Sequence, residues 1–299
     1  MSTVVVALDV GGTHVSSAPV DTGTWEVGAP ETRLHLDSSG SAADIVATLA
    51  QAVVATGCAP EAPIGIAMPG PFDYEAGIGH FAGVAKLEAL RGRDLRAALH
   101  TELGASRTGS ITFINDGDAF VVGEWLAGSA QGSQRCIGLT FGTGLGSGFF
   151  ADGRVVGERP DVPHGGEVHL LTVDGAPIED VMSRRALRAA YGSATGDEAA
   201  DVERICARAR SGDPVAQAVL RPALRVYGSA LAPWCERFRP DVIVIGGSMA
   251  RSWDVLEAPF RAGLGRAATD VRVEVAQHLD AAPLLGAAWG ARESGLSRS

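Results

Sequence analysis

The chain opens on a continuous apolar run, VVVALDV at residues 4–10, that ends beside an acid, Asp9. An unbroken run of this kind predicts a strand covered on both faces. Gly11, Gly12 and Thr13 then predict a tight turn, and HVSSAPVD a strand returning beside the first. A third strand is expected within residues 25–36. Over residues 41–57 the period becomes helical, with Ile45, Val46, Leu49, Val53 and Val54 on one stripe and Gly57 as the stop. A short strand at 63–68, a PGPFDYEAG loop and a helix at 94–103 follow. A strand at 111–114 then turns into a helix at Asn115 and Asp116.

The same pattern restarts in the second half. Residues 135–141 read as an apolar strand, 142–148 as a glycine-rich connection and 149–156 as the returning strand. Helices are expected over 178–190, 199–210 and 214–237. PDVIVIGGSMA reads as a strand feeding a helix through glycines, followed by a last strand at 271–275 and a last helix at 281–292. The class is therefore α/β, in two halves that each begin with a strand–glycine turn–strand unit. This is a repeat of pattern rather than a short solenoid period. No Pro- or Ser-rich linker divides the halves, and the strand-to-helix step near Asp116 is the expected hinge. That places an N-terminal domain at 1–115, a C-terminal domain at 116–280, and a C-terminal helix, about 281–299, packing back on the first domain.

Composition narrows the class. The 299 residues are 46% hydrophobic, enough for real cores and too much for a disordered chain. No stretch of about 18 uninterrupted apolar residues predicts a membrane span. MSTVVVALDV lacks the basic region and cleavage site of a signal peptide, so the cytoplasm is the expected compartment. A net charge of -10 repels nucleic acid and anionic lipid, and neither is an expected partner. Cys58, Cys136, Cys206 and Cys235 are too far apart for a CxxC motif and read as buried, reduced thiols. The only lysine, Lys86, lies in GVAKLEAL rather than in GxxxxGK followed by Ser or Thr, which excludes a P-loop.

Four places carry candidate chemistry. At Gly11, Gly12 and Thr13, glycine lets the backbone approach an anion, Thr13 adds a hydroxyl, and Asp9 can hold a metal through water. The alternative there is a plain hairpin. Around Gly142, Thr143 and Gly144, glycines exceed what a turn requires. Ser147 occupies the third glycine position of a GxGxxG fingerprint and no helix follows, so a second phosphate clamp or a closely packed hairpin is expected rather than a dinucleotide site. Asn115 and Asp116 stand at a strand-to-helix junction, where open α/β sheets bind ligands. Helix capping explains one of them but not both together with Asp118. Gly246, Gly247 and Ser248 either let a flat ring slide against backbone, make a tight turn, or form a degraded nucleophile elbow with Asp270 and His278 following in hydrolase order. Such an elbow would come too late for the sheet it needs.

In this order, LDVGGTH, INDGDAFVVGEW, LTFGTGLGSGFFADG and VIVIGGSMA resemble the successive motifs of ROK-family sugar kinases, in the actin–hexokinase superfamily. The resemblance runs from about residue 4 to the final helix. It implies two ribonuclease-H-like domains with a cleft between them, and ATP phosphates gripped by Gly11, Gly12 and Thr13 from one side and by Gly142, Thr143 and Gly144 from the other. It further implies Asp9 positioning Mg²⁺ and Gly246, Gly247 and Ser248 bordering the adenosine. Asp116 would be the general base at the primary 6-hydroxyl of glucose or a glucose-like ring, with Asn115 on a neighbouring hydroxyl. Backbone N–H groups and Mg²⁺ can neutralise the phosphates without a P-loop lysine.

The sugar pocket departs from the family pattern. Gly166-Glu167-Val168-His169 resembles the family's Glu-x-Gly-His but brings the histidine one residue closer. His169 is thus a sugar ligand or a polar residue on a strand, and His164 a loop residue. Glu179 resembles the later sugar-binding glutamate; carboxylates suit a polyol because they accept two hydroxyls in a fork. LLTVDGAPI contains no cysteine where relatives carry a zinc knuckle, so no zinc is expected. Lys86 stands where relatives have an asparagine, either reaching the pocket or solvated. With the first strand expected almost at residue 1, the DNA-binding module of ROK repressors is not expected in this sequence. The resemblance leaves two substrate classes open: a common hexose, or a modified ring such as an amino sugar (kanosamine) or a C7-cyclitol. A non-catalytic sugar sensor is the rival class, against which the retained Asp116 argues. A homodimer is the assembly the resemblance suggests.

Overall fold

A computed structural model describes residues 3–83, 86–142 and 144–296. The chain forms two compact units, one of residues 1–127 with 280–299 and one of residues 128–279.

In the first unit β1 (Val4–Val10) pairs antiparallel with β2 (His14–Asp21), Asp9 opposite Ser16 and Val10 opposite Val15. The third strand is split into β3 (Glu26–Val27) and β4 (Thr32–His35), both on β2. Pro30, between them, has no N–H for a ladder. Helix α1 (Ala42–Ala55) starts at Ser41, whose hydroxyl accepts the Asp44 N–H at 3.2 Å. Its buried stripe holds Ile45, Val46, Leu49 and Val53, while Val54 is 64% exposed and faces away from the core. The wholly buried β5 (Ile64–Met68) leads to a small hairpin, β6 (Phe72–Asp73) with β7 (Ile78–Gly79). Helix α2 (Leu95–Leu103), β8 (Ile111–Asn115) and α3 (Asp116–Ala127) follow. The order is β3-β2-β1-β5-β8, with β1, β5 and β8 parallel.

The second unit repeats that arrangement. β9 (Arg135–Phe141) pairs antiparallel with β10 (Leu145–Ala151), which pairs with β11 (Arg154–Val155). The glycine-rich stretch is therefore mostly strand: Gly146 and Gly148 lie in β10 opposite Thr140 and Gly138, and the connection from β9 lies between Gly142 and Gly144. A Cβ at Gly146 would overlap the Thr140 hydroxyl, which accounts for that glycine. A hairpin, β12 (Thr172–Val173) and β13 (Ala176–Pro177), precedes a 3-10 turn at Ile178–Asp180. The helix expected from residue 178 starts only at Arg184, because Ser183 caps α4 (Arg184–Thr195) by accepting the Ala186 N–H. Helices α5 (Val202–Arg210) and α6 (Pro214–Phe238), β14 (Val242–Gly246), α7 (Trp253–Leu264) and β15 (Arg272–Val275) complete the unit. The order β11-β10-β9-β14-β15, with β9, β14 and β15 parallel, matches β3-β2-β1-β5-β8 strand for strand.

The chain then returns to the first unit as α8 (Ala282–Leu296). Its Leu284, Leu285, Ala287, Ala288 and Ala291 are buried with Val5, Ala7, Ala18, Val20 and Ala67 of the sheet. With α1 on the other face, the sheet is covered twice, which explains the uninterrupted apolar run of β1. Two glycines let α8 and α3 touch backbone to backbone: a Cβ at Gly123 would overlap the Ala282 carbonyl, and one at Gly286 the Ala119 carbonyl. This contact ties α3 to the first unit, whose boundary falls after Ala127, one helix beyond the strand-to-helix step.

Among the described residues no helix is long and apolar enough to cross a membrane. All four cysteines are free, and Cys136, Cys206 and Cys235 are buried. Burial pushes Cys136 and Cys235 up to about 12 and Cys206 to about 11, so these thiols stay protonated and unreactive.

Candidate active site

In the first unit the candidate residues converge on the carboxyl ends of parallel strands. Asp9 is the penultimate residue of β1 and is half-buried. It accepts no hydrogen bond and forms no ion pair among the described residues. Burial first, and then the charge of Asp116, push its carboxyl up to about 7; Arg33 pulls it back and Asp280 adds to the rise. The register explains the part of Arg33, since Asp9, Ser16 and Arg33 form one cross-strand row over β1, β2 and β4. The adjoining turn is closed by the Gly11 N–H donating to the His14 carbonyl at 2.8 Å. A Cβ on Gly12 would meet nothing within 4 Å, and the exposed Thr13 hydroxyl lies 2.8 Å from His14 Nδ1. Open space above a turn of small residues is what an approaching anion requires.

Asn115 and Asp116 divide two jobs. Asn115 Oδ1 caps α3, accepting the Gly117 N–H at 2.9 Å and the Asp118 N–H at 3.2 Å. Its Nδ2 donates to the Tyr74 hydroxyl at 2.8 Å, which in turn lies 3.3 Å from the Met68 carbonyl. Among the described residues the second amide N–H of Asn115 meets no acceptor. Asp116, half-buried in the first turn of α3, accepts the Gly117 N–H on Oδ1 at 2.9 Å. Tyr74 escapes a sequence reading. Its only signal is its place in the loop after β5, at the ligand-binding end of a parallel sheet.

In the second unit the 142–144 turn is closed by the Gly142 N–H donating to the Gly144 carbonyl at 3.1 Å, and a Cβ at Gly142 would meet nothing. Thr143, predicted to share this turn, lies outside the described residues. Phe141 anchors its base, with the Tyr227 ring 5.1 Å away and the Trp253 ring stacked at 6.0 Å. Glu179 closes on the turn from the 3-10 segment, its Oε1 accepting the Leu145 N–H at 3.1 Å. Gly246 ends β14 opposite Thr140. Gly247 has φ 75°, and any Cβ there would overlap the Phe141 backbone, so only glycine brings this loop against the base of the turn. Ser248 is exposed and begins a 3-10 turn, Ser248–Ser252. The left-handed residue of this strand-to-helix step is Gly247 rather than Ser248, which is not the strained serine of a nucleophile elbow.

Glu167 is placed by a residue that pattern alone does not single out. The buried Ser147 hydroxyl of β10 donates to the Gly166 carbonyl at 2.7 Å and accepts the Val168 N–H at 2.8 Å, clamping the backbone on both sides of Glu167. His169 follows in a 3-10 turn, Val168–Leu170, not on a strand. His164 is exposed, and Lys86 is half-buried in a bend. Among the described residues no three His, Cys, Asp or Glu side chains gather as a metal-binding group. Mg²⁺ needs only one or two carboxylates beside phosphate and water, and Asp9, half-buried without a cation in contact, has the oxygen chemistry for one of them.

The family model described as ROK matches residues 5–294. The glucokinase of Thermotoga maritima is 28% identical over 282 residues, 86% of each chain. The N-acetyl-D-glucosamine kinase of Photobacterium profundum is 26% identical over 304 residues, 94% of this chain and 97% of that one. The crystal structure of a ROK family glucokinase from Streptomyces griseus in complex with glucose and AMPPNP is similar with a TM-score of 0.75. Its identity is 25%, over 97% of this chain and 99% of that one.

Proposed function

The chain belongs to the ROK family and is an ATP-dependent sugar kinase, and from that premise we propose that it phosphorylates the primary 6-hydroxyl of glucose or a glucose-like ring with Asp116 as general base. The observation that supports this most is the register of the first sheet, which sets Asp9 of β1 level with Ala67 of β5 and Ile114 of β8, so that Asn115 and Asp116 follow at the same carboxyl end. It joins the residue beside an open glycine turn to a carboxylate at a helix start within one unit. Phosphoryl transfer asks little covalent chemistry of a protein. It needs the two substrates positioned, the phosphate charge met, and a base on the attacking oxygen.

In this reading the turn of Gly11, Gly12 and Thr13, closed by the Gly11 N–H, offers ATP phosphate oxygens the Gly12 N–H and the Thr13 hydroxyl, and the turn of Gly142, Thr143 and Gly144 holds others. Gly246, Gly247 and Ser248 border the adenosine. Asp9 would hold the Mg²⁺ that accompanies ATP, an ion that neutralises phosphate charge when bound. Asp116 takes the proton of the attacking hydroxyl. The second amide N–H of Asn115 orients a neighbouring hydroxyl, and Glu167, His169 and Glu179 accept or share the remaining ring hydroxyls.

A kinase for a modified ring, such as an amino sugar or a C7-cyclitol, is the second reading. It is favoured by the one-residue shortening that puts His169 in a 3-10 turn. ADP release over a panel of glucose, N-acetylglucosamine, an amino sugar, a cyclitol and 6-deoxyglucose tests both. Turnover of glucose or a glucose-like ring, with none of 6-deoxyglucose, is expected. Turnover of 6-deoxyglucose would overturn the assigned acceptor, and sugar binding without ADP release would point to a sensor.

A further inference from the structure

Glu179 does something that gripping a sugar does not require. Its Oε1 accepts the N–H of Leu145, the residue that ends the 142–144 turn and begins β10. A Cβ at Gly144 would lie 3.2 Å from the same oxygen, so the carboxylate rests directly against the turn. The segment carrying Glu179 is itself fixed. Ile178 is fully buried, its N–H donates to the Leu171 carbonyl at 2.9 Å, and its carbonyl accepts the N–H groups of Val181 and Met182 at 3.0 and 2.9 Å. The buried Tyr227 hydroxyl, without a hydrogen-bond partner among the described residues, is held above the ordinary tyrosine range by burial first, and then by the charges of Cys235 and Glu179. A carboxylate–amide bond of a half-buried glutamate is stronger than one in water.

We infer that Glu179 is a positioning residue for the second phosphate-binding turn, holding the Leu145 N–H through Oε1 while Oε2 remains for a sugar hydroxyl. This rests on the kinase reading above. The physical basis is the capacity of a carboxylate, which offers about four acceptor sites over two oxygens. One oxygen fixes the backbone that aims the turn's N–H groups, and the other is left for the second substrate. The residue thereby serves an ATP-binding turn and a sugar hydroxyl at once, and its loss is felt by both substrates.

Two variants separate this from a role in sugar binding alone. Glu179→Gln keeps an oxygen for the Leu145 N–H but replaces the second acceptor with a donor. Glu179→Ala removes both. Both should raise the sugar KM. Glu179→Ala alone should raise the ATP KM and weaken AMPPNP binding to sugar-free protein, on the order of ten-fold, the scale of a lost charge-assisted hydrogen bond. Glu179→Gln should stay within about two-fold of wild type for the nucleotide. Amide hydrogen exchange at Leu145 should quicken in Glu179→Ala and be restored in Glu179→Gln. This readout is independent of catalysis, so it stands even if the panel finds no kinase activity. An unchanged nucleotide affinity and Leu145 protection in Glu179→Ala, or a Glu179→Gln variant as impaired as Glu179→Ala towards nucleotide, would overturn the inference.

Discussion

Asp9 and Asp116 stand at the same carboxyl end of the first sheet, and each carries a prediction. Asparagine at 116 keeps an oxygen for the Gly117 N–H, so the start of α3 survives while the base is lost. Asp116→Asn should cut kcat by about 10²–10⁴-fold with sugar binding retained. A variant within ten-fold of wild type would place the base elsewhere. Asp9 adds a pH signature. Its folded carboxyl stands near 7 against an ordinary 3.8, so between those values the native state holds a proton that the unfolded chain gives up. The ligand-free protein therefore loses stability as pH rises through that window, by at most about 1.4 kcal/mol per pH unit from this group, and levels off above it. Asp9→Asn should remove this fall and gain on wild type most above pH 7. Urea midpoints of both proteins at about pH 5 and 8 would show it, and an equal gap at both would refute it.

At the scale of elements, the position of Asp116 depends on where α3 lies, and α3 lies where two glycines allow. Gly123 and Gly286 carry the α3–α8 contact, and a methyl group on either meets a carbonyl rather than a flexible side chain. Gly123→Ala or Gly286→Ala must push the helices apart. Each should cost about 1–3 kcal/mol, the usual cost of overpacking. The shift should also lower kcat, since α3 begins with the proposed base. Thermal melts combined with single-turnover rates would check both effects. A variant stable as wild type would mean the helices can slide without loss.

For the whole molecule, the notable feature is that the first unit is built from both ends of the chain. Removing residues 280–299 would strip the cover from Val5, Ala7, Ala18, Val20 and Ala67. Such a truncated chain should lose cooperative unfolding of the first unit, while the second, whose core is drawn from residues 137–273, keeps its protection. Limited proteolysis with mapping of the surviving fragment would decide. A resistant first unit would show that α8 adds little to its core.

Much of this was legible from neighbours along the chain. The apolar runs of β1 and β9, the helical stripe of α1 and the glycine turns that follow the runs are local patterns. They depend on side-chain period and on φ/ψ freedom over a few residues, and the strand-to-helix step at Asn115 and Asp116 is of the same kind. Pattern could not read the pairs that shape the candidate site. Tyr74 meets Asn115 across 41 residues, Leu145 meets Glu179 across 34, and Ser147 clamps the Glu167 backbone from 19 and 21 residues away. Nothing in the spacing of such residues marks them as partners. Their meeting is fixed by which strands pair, in what register, and by how closely two backbones can approach. The break before α4 is by contrast local, since Ser183 caps the helix through the Ala186 N–H three residues on. Local steric preference determined the elements and the kind of turn between them. Long-range packing decided which polar groups were left facing a ligand and which were spent holding the backbone in place.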